Sequence, residues 1–471
     1  MSHPQKQRAH PYMANSTDEA RQSMLAAVGA ADVEELFAQI PADHRTTREV
    51  ALPPQLVAEV ELRRHLTGVL DRNATCEQNL SFLGAGCWQH HVPAVCDEIG
   101  TRAEFLTPVW GTPSSDQGRM QAWFEFASQL GELVGMEFVG LPVYSWGCAT
   151  GHALRMAARM TGRREVLVPR MMDPERLAVV RNYCGRVELD RHLDLVLVEH
   201  DPATGRLDLD DLRGKLSDRT AAVYVETPSY LGVVEPEVAE IGRLTRAAGA
   251  ETVVGVDPIS LGVLAPPGEL GADIVVGTTQ PLGIHMNAGG GVGGFLATRD
   301  EERYAREYPT LQVSICDTVV PGERGFGMTL FEQSSYGSRE LGKDWTGNSV
   351  YLWAVVNAVY MSLMGPQGFA EVGATILQRS HYAATLIGEV PGLEVRWAQG
   401  FFKEFVVSFD GTGRTVAEVN AALRERGIFG GKDLTADFPE LGAAALYCVT
   451  EIHTQADLDR LADALREVTA P

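Results

Sequence analysis

Two positions in the block GVDPISLGVLAPPGELGADIVVGTTQPLG, Gly255 to Gly283, hold the residue types of greatest chemical interest. Asp257 closes one β-type run, where an acid can hold a heterocyclic nitrogen in its protonated form. A lysine just after the next strand could then form a Schiff base with a carbonyl group. At that second position stands Gln280, whose amide cannot condense with a carbonyl. A plain strand-end cap is the structural alternative for Asp257. The search for another amine is short, because the lysines are Lys6, Lys215, Lys343, Lys403 and Lys432. Lys6 lies in a polar terminus and Lys215 on an exposed helical stretch with Arg213. Lys343, in GKDWTGNS, is the one near site-forming sequence, with a structural role as its alternative.

Other groups narrow the chemistry further. The pair His90-His91 is a poor metal site, since neighbouring residues on a strand face opposite ways and on a helix lie about 100° apart. The run Gly289 to Gly294 lacks the G-x-G-x-x-G spacing and a following helix, so it reads as a close backbone approach rather than a phosphate cradle. The cysteines Cys76, Cys87, Cys96, Cys148, Cys184, Cys316 and Cys448 are scattered, with neither disulfide nor zinc spacing. A reducing cytoplasm is the expected location. The formal charge of −22 argues against nucleic acid and against an anionic membrane surface, both of which select basic stripes. No apolar h-region opens the chain, and Val350 to Met364 is too short to span a bilayer, so it reads as a buried helix. Tyr351, Trp353 and Tyr360 on it read as core.

These residues need a scaffold. Short β-branched runs at Val166, Leu193, Ala221, Thr252 and Ala272 alternate with helical stretches such as Glu237 to Ala248, the pattern of βαβ units and a mostly parallel sheet. Helices are expected between Gly118 and Gly135 and from Thr150 to Met160, and Ser16 to Glu19 offers an N-cap cluster before a helix through Leu25. The tail alternates apolar and polar residues at FFKEFVVSF, then reads helix, strand, helix. The expected organisation is α/β, with an N-terminal helical arm over 1–99, a large α/β domain over 100–340, and a C-terminal helix with a small α+β domain over 341–471.

Several segments, in order along nearly the whole chain, resemble one family. They are HPYMANSTDEARQSMLAAVG, FLGAGCWQHHVPAV, DQG-x₅-FEF, DPISLGVLAPPGELGADIVVGTTQPLGI, GPQGFAEV, FFKEFVV and RGIFGGKDL-x₄-PELG. They look like the first subunit of the two-subunit bacterial glycine decarboxylase, the P-protein of the glycine cleavage system. The resemblance implies a fold-type-I, aspartate-aminotransferase-like chain whose homologous second subunit carries the lysine and so holds pyridoxal 5'-phosphate. Gln280 is then the expected residue. It further implies that glycine loses CO₂ and that the remaining aminomethyl group passes to the lipoyl disulfide of a carrier, the H-protein. His90, Pro113, Gln117, Gly118, Asp257, Gln280, Trp345, Thr346 and Asn348 are expected near a site shared with the second subunit, without covalent roles.

The chain departs from the family's pattern around that site. Y-x-P-E-I-S-Q-G becomes WGTPSSDQG, which keeps Pro113, Gln117 and Gly118 but loses the glutamate; a TSNICT-type segment reads KDWTGNS; and YDGAT reads SWGCA. Two alternatives therefore stay open: a related subunit serving a different amino acid or acceptor, and a non-catalytic scaffold for its partner.

Overall fold

The computed structural model describes residues 9–10, 12–46, 48, 50–105, 113–185, 192–286, 292–329, 338–339, 342–344, 346 and 350–470; of 113–118 and 329 it describes the backbone alone. Two compact units result, Met1–Asn73 and Ala74–Pro471. In the first, the helix Asp18–Val28 starts at Thr17, whose hydroxyl accepts the Ala20 N–H, and stops at Gly29 in the left-handed region. Neither this helix nor Glu59–Leu70 buries a single residue.

The second unit is built on a seven-stranded sheet. Across it run Phe138–Val139, Gly294–Thr298, Ile274–Thr278, Glu251–Val256, Thr220–Glu226, Glu165–Pro169 and Asp194–Val198. The five from Ile274–Thr278 to Asp194–Val198 are parallel, and the first two pair antiparallel. Helices cover both faces, so Thr220–Glu226 and Glu251–Val256 are buried along their whole length, which is why their sequences read as continuous rather than alternating. Asp257 follows directly and its carboxylate accepts the Ile259 N–H at 3.1 Å, capping the 3₁₀ turn Pro258–Gly262. The strand-end cap is therefore real, but it engages only one of the two carboxylate oxygens.

The helix Trp146–Thr161 begins on Ser145, whose hydroxyl accepts the Cys148 N–H, and ends at Gly162. The expected buried helix at Val350 to Met364 is the first half of Tyr351–Gly388, which breaks at Gly365 (φ 57°, ψ 179°) before Pro366. Tyr351 and Tyr360 lie in the core and Trp353 packs against it. A four-stranded antiparallel sheet, Glu394–Arg396, Glu404–Ser408, Ala444–Cys448 and Lys432–Asp433 in spatial order, forms the C-terminal part with helices Val416–Glu425 and Gln455–Thr469. Here the alternation in FFKEFVVSF misleads, since Phe401 to Ser408 are buried without a break. The two charged residues in that run must therefore find partners inside. Among the described residues no helix is long and apolar enough to cross a membrane.

Candidate active site

The partner of Lys403 is Asp257. Its Nζ lies 2.7 Å from Asp257 Oδ2, with side chains 3% and 5% exposed. The ammonium also lies 3.3 Å from the centre of the Trp88 ring and 3.1 Å from His90 Nε2. An ammonium only donates, so His90 Nε2 accepts and Nδ1 carries the hydrogen given to Glu451 Oε2 at 2.7 Å. Burial works against ionisation of Glu451, but His90 and the His91 N–H outweigh it and hold that carboxyl down at about 2.

Gln280 fixes the other side of this cluster. Its Oε1 accepts the Trp88 N–H at 3.1 Å, while Nε2 donates to the carbonyls of Trp88 at 3.0 Å and Ile284 at 3.1 Å. The amide is 1% exposed with its main hydrogen-bonding capacity in use. One chain of contacts thus runs from Gln280 through the Trp88 backbone to its indole, and on to Lys403 and Asp257. Close approach beneath it explains the glycines: a Cβ on Gly84 would meet Glu404 Oε1 at 2.3 Å, and one on Gly294 would meet the Ser145 carbonyl oxygen at 2.2 Å. This matches the sequence reading of the glycine run as a backbone approach, although 287–291 lie outside the described residues.

Facing Asp257 across a cavity of about 20 Å³ are Trp146, Arg176 and Glu226. Arg176 is already matched, with Nη1 2.5 Å from Glu226, Nη2 3.6 Å from Asp173, and its guanidinium 3.7 Å from the Trp146 ring centre. Tyr224 donates to the same Glu226 at 2.8 Å. A space of this size holds about one water molecule, whereas small-molecule sites commonly run to about 300–1,000 Å³. The ring of pyridoxal phosphate therefore does not fit beside Asp257 in this chain: the acid is paired, the amine position holds an engaged amide, and the space next to them is about one water in size, although a second cavity of about 190 Å³ lined by Ser145, Trp146, Gly147, Thr278 and Val292 adjoins it.

The other expected site residues are placed differently. Thr346 is buried in a separate set of contacts, its Oγ1 2.7 Å from His152 Nε2, with Tyr183 Oη 3.2 Å from the same nitrogen. Burial depresses that histidine to about 4. Pro113, Gln117 and Gly118 sit in the first turns of the helix Pro113–Val134, without side-chain description, and Trp345 and Asn348 lie outside the described residues. Lys343 has a structural role, with Nζ 2.5 Å from Glu307 and 3.0 Å from the Arg306 carbonyl. That is the structural alternative the sequence reading keeps for Lys343; among the described lysines Lys403, which that reading does not single out, is the one beside Asp257.

Glu404, next to Lys403, provides a pH test. Burial pushes its carboxyl up to about 7 from 4.5, with Lys403 pulling the other way. A folded value above the unfolded one means that the folded chain holds an extra proton between about pH 4.5 and 7. Stability from this group is full below that window and is lost as pH rises through it. Glu404→Gln, which keeps the acceptor for the Ala85 N–H, is expected to gain on the order of 2–3 kcal/mol over the parent at pH 8 and little at pH 5. Urea unfolding at the two pH values checks this; a variant less stable at pH 8 contradicts it.

Against known proteins, residues 10–465 match the family model described as the glycine cleavage system P-protein. A probable glycine dehydrogenase (decarboxylating) subunit 1 from Staphylothermus marinus is 36% identical over 98% of this chain and 98% of its own. One from Pyrococcus furiosus is 36% identical over 97% and 99%. A crystal structure of glycine decarboxylase (P-protein) of the glycine cleavage system, in inhibitor-bound form, superposes with TM-score 0.86 at 33% identity, over 98% of this chain and 99% of that one. A sphingosine-1-phosphate lyase from Burkholderia pseudomallei shares the fold alone, at TM-score 0.65 and 16% identity over 89% and 92%. The α/β, fold-type-I reading of the sequence agrees with these likenesses and with the mostly parallel sheet.

Proposed function

We propose, since the chain belongs to the glycine cleavage system P-protein family, that it is the lysine-less subunit of a heteromeric glycine decarboxylase. In this reading pyridoxal phosphate is held on the lysine of a homologous second subunit and supplies there an electron sink for loss of CO₂ from glycine. This chain completes that subunit's site and supports transfer of the aminomethyl group to a lipoylated carrier protein. The observation that carries the reading is Gln280, bound on both sides of its amide to Trp88 and Ile284 where a Schiff-base lysine would stand. The names of the relatives, each a subunit 1, support a second subunit.

His90 is the residue we place nearest the shared site, because its ring is fixed between Lys403 and Glu451 while the adjacent His91 is exposed. Pro113, Gln117, Gly118, Trp345, Thr346 and Asn348 are proposed to line the approach from the partner. The changed blocks Thr112 to Asp116 and Lys343 to Ser349 favour one second reading, a subunit of the same class serving another amino acid. Borohydride reduction of the reconstituted pair, followed by intact-mass measurement of each chain, tests the first reading. The adduct is expected on the second subunit alone. Stoichiometric labelling of any lysine in this chain, Lys343 and Lys403 included, would overturn it.

A further inference from the structure

We infer that this chain's own cofactor space is closed by Trp88 and Lys403, which together exclude pyridoxal phosphate independently of the missing lysine. The inference deepens the proposed function and rests on its placement of Asp257 as the ring-nitrogen acid.

Loss of a Schiff-base lysine removes one covalent bond. It does not by itself remove the volume, the acid, or the helix N-terminus that could receive a phosphate group. In this chain the acid and the space beside it are taken, while a cavity of about 190 Å³ lined by Ser145, Trp146, Gly147, Thr278 and Val292 stays open at the start of the helix Trp146–Thr161. The indole of Trp88 lies over the ammonium of Lys403, and that ammonium sits 2.7 Å from Asp257 Oδ2. A protonated ring nitrogen arriving at Asp257 would set two cations against one buried carboxylate, so Lys403 must leave before the ring can bind. At the start of the helix Trp146–Thr161, the Trp146 ring and the Arg176 guanidinium pack on each other, and Arg176 is neutralised by Glu226 and Asp173. Beside Asp257 itself, between Trp88 and Lys403, about 20 Å³ remains open, so the place of the ring is closed even though the place of the phosphate is not.

Lys403 and Trp88 are therefore surrogates: a fixed internal cation for the pyridinium, and an aromatic ring occupying the space beside it. Gln280 locks the surrogate ring in place through the Trp88 backbone. The consequence is one cofactor per pair of homologous subunits even when the amine is put back.

The test uses the full chain reconstituted with its second subunit. Gln280→Lys is compared with Gln280→Lys/Trp88→Ala/Lys403→Asn, each soaked with pyridoxal phosphate and reduced with borohydride. The adduct at position 280, formed by condensation of amine and aldehyde with loss of water and hydride reduction of the C=N bond, is counted by peptide mass. Under 5% labelling, roughly the non-specific level, is expected for Gln280→Lys, and labelling about tenfold higher or more for the opened variant. Stoichiometric labelling of Gln280→Lys alone overturns the inference, as does an opened variant that melts cooperatively yet takes no label. If the triple substitution does not fold, Gln280→Lys/Trp88→Ala replaces it and is read by the same rule. Label on the second subunit's lysine in every sample reports on the proposed function separately, so failure of either idea is visible without the other.

Discussion

Lys403→Met is expected to destabilise the chain by about 3–5 kcal/mol, the usual effect of removing one member of a buried ion pair. Methionine nearly matches the lysine stem in length, so the loss is electrostatic rather than a cavity effect. At 2.7 Å and an effective dielectric of about 20, the attraction between Lys403 and Asp257 is roughly 6 kcal/mol. Burying the two ions costs several kcal/mol each, so the intact pair contributes little net stability. What the pair prevents is an uncompensated carboxylate, with Glu404 adding a second acid close by. The double variant Lys403→Met/Asp257→Asn is accordingly expected to recover most of the loss. Urea unfolding at pH 7 of the parent, both single variants and the double gives the coupling directly. A Lys403→Met chain within about 0.5 kcal/mol of the parent contradicts a matched buried pair.

The scaffold was largely legible because its signals are local. The runs at Val166, Leu193, Ala221, Thr252 and Ala272 all fall in or beside strands of the seven-stranded sheet, each β-branched, short and bounded by turns. Thr17, within the cluster Ser16 to Glu19, caps its helix through its own hydroxyl, whereas the helix expected from Thr150 starts earlier, at Trp146, on the hydroxyl of Ser145. Gln280 was equally plain, because a lysine is either present at a turn or it is not. The buried cluster around Asp257 was less accessible. Trp88, Asp257, Gln280 and Lys403 meet only through the tertiary fold, and Lys403 and His90 are 313 positions apart. Period-two patterning in FFKEFVVSF signals a strand with one exposed face, whereas burial on both faces makes its lysine an interior charge paired with Asp257 and its glutamate a buried acid pushed up by burial. The usable signal was scarcity: in a chain with so few lysines, one set between Phe402 and Glu404 in an otherwise apolar strand needs a counter-ion. Helix Tyr351–Gly388 was recognised only to Met364 because Gly365 and Pro366 end the first run of apolar periodicity.

The central claim is that this chain performs no decarboxylation by itself and is required by a subunit that does. Carboxyl-labelled glycine, pyridoxal phosphate and lipoylated carrier protein supplied to each subunit singly and to the pair provide the direct measurement. The pair is expected to release labelled CO₂ at an enzymatic rate, roughly 1 to 10³ per second. Either subunit alone should fall at least about 10²-fold lower, because a half-built site loses the positioning on which the rate depends. Release of CO₂ by this chain alone at the rate of the pair would contradict the account; so would a second subunit that keeps the full rate in its absence.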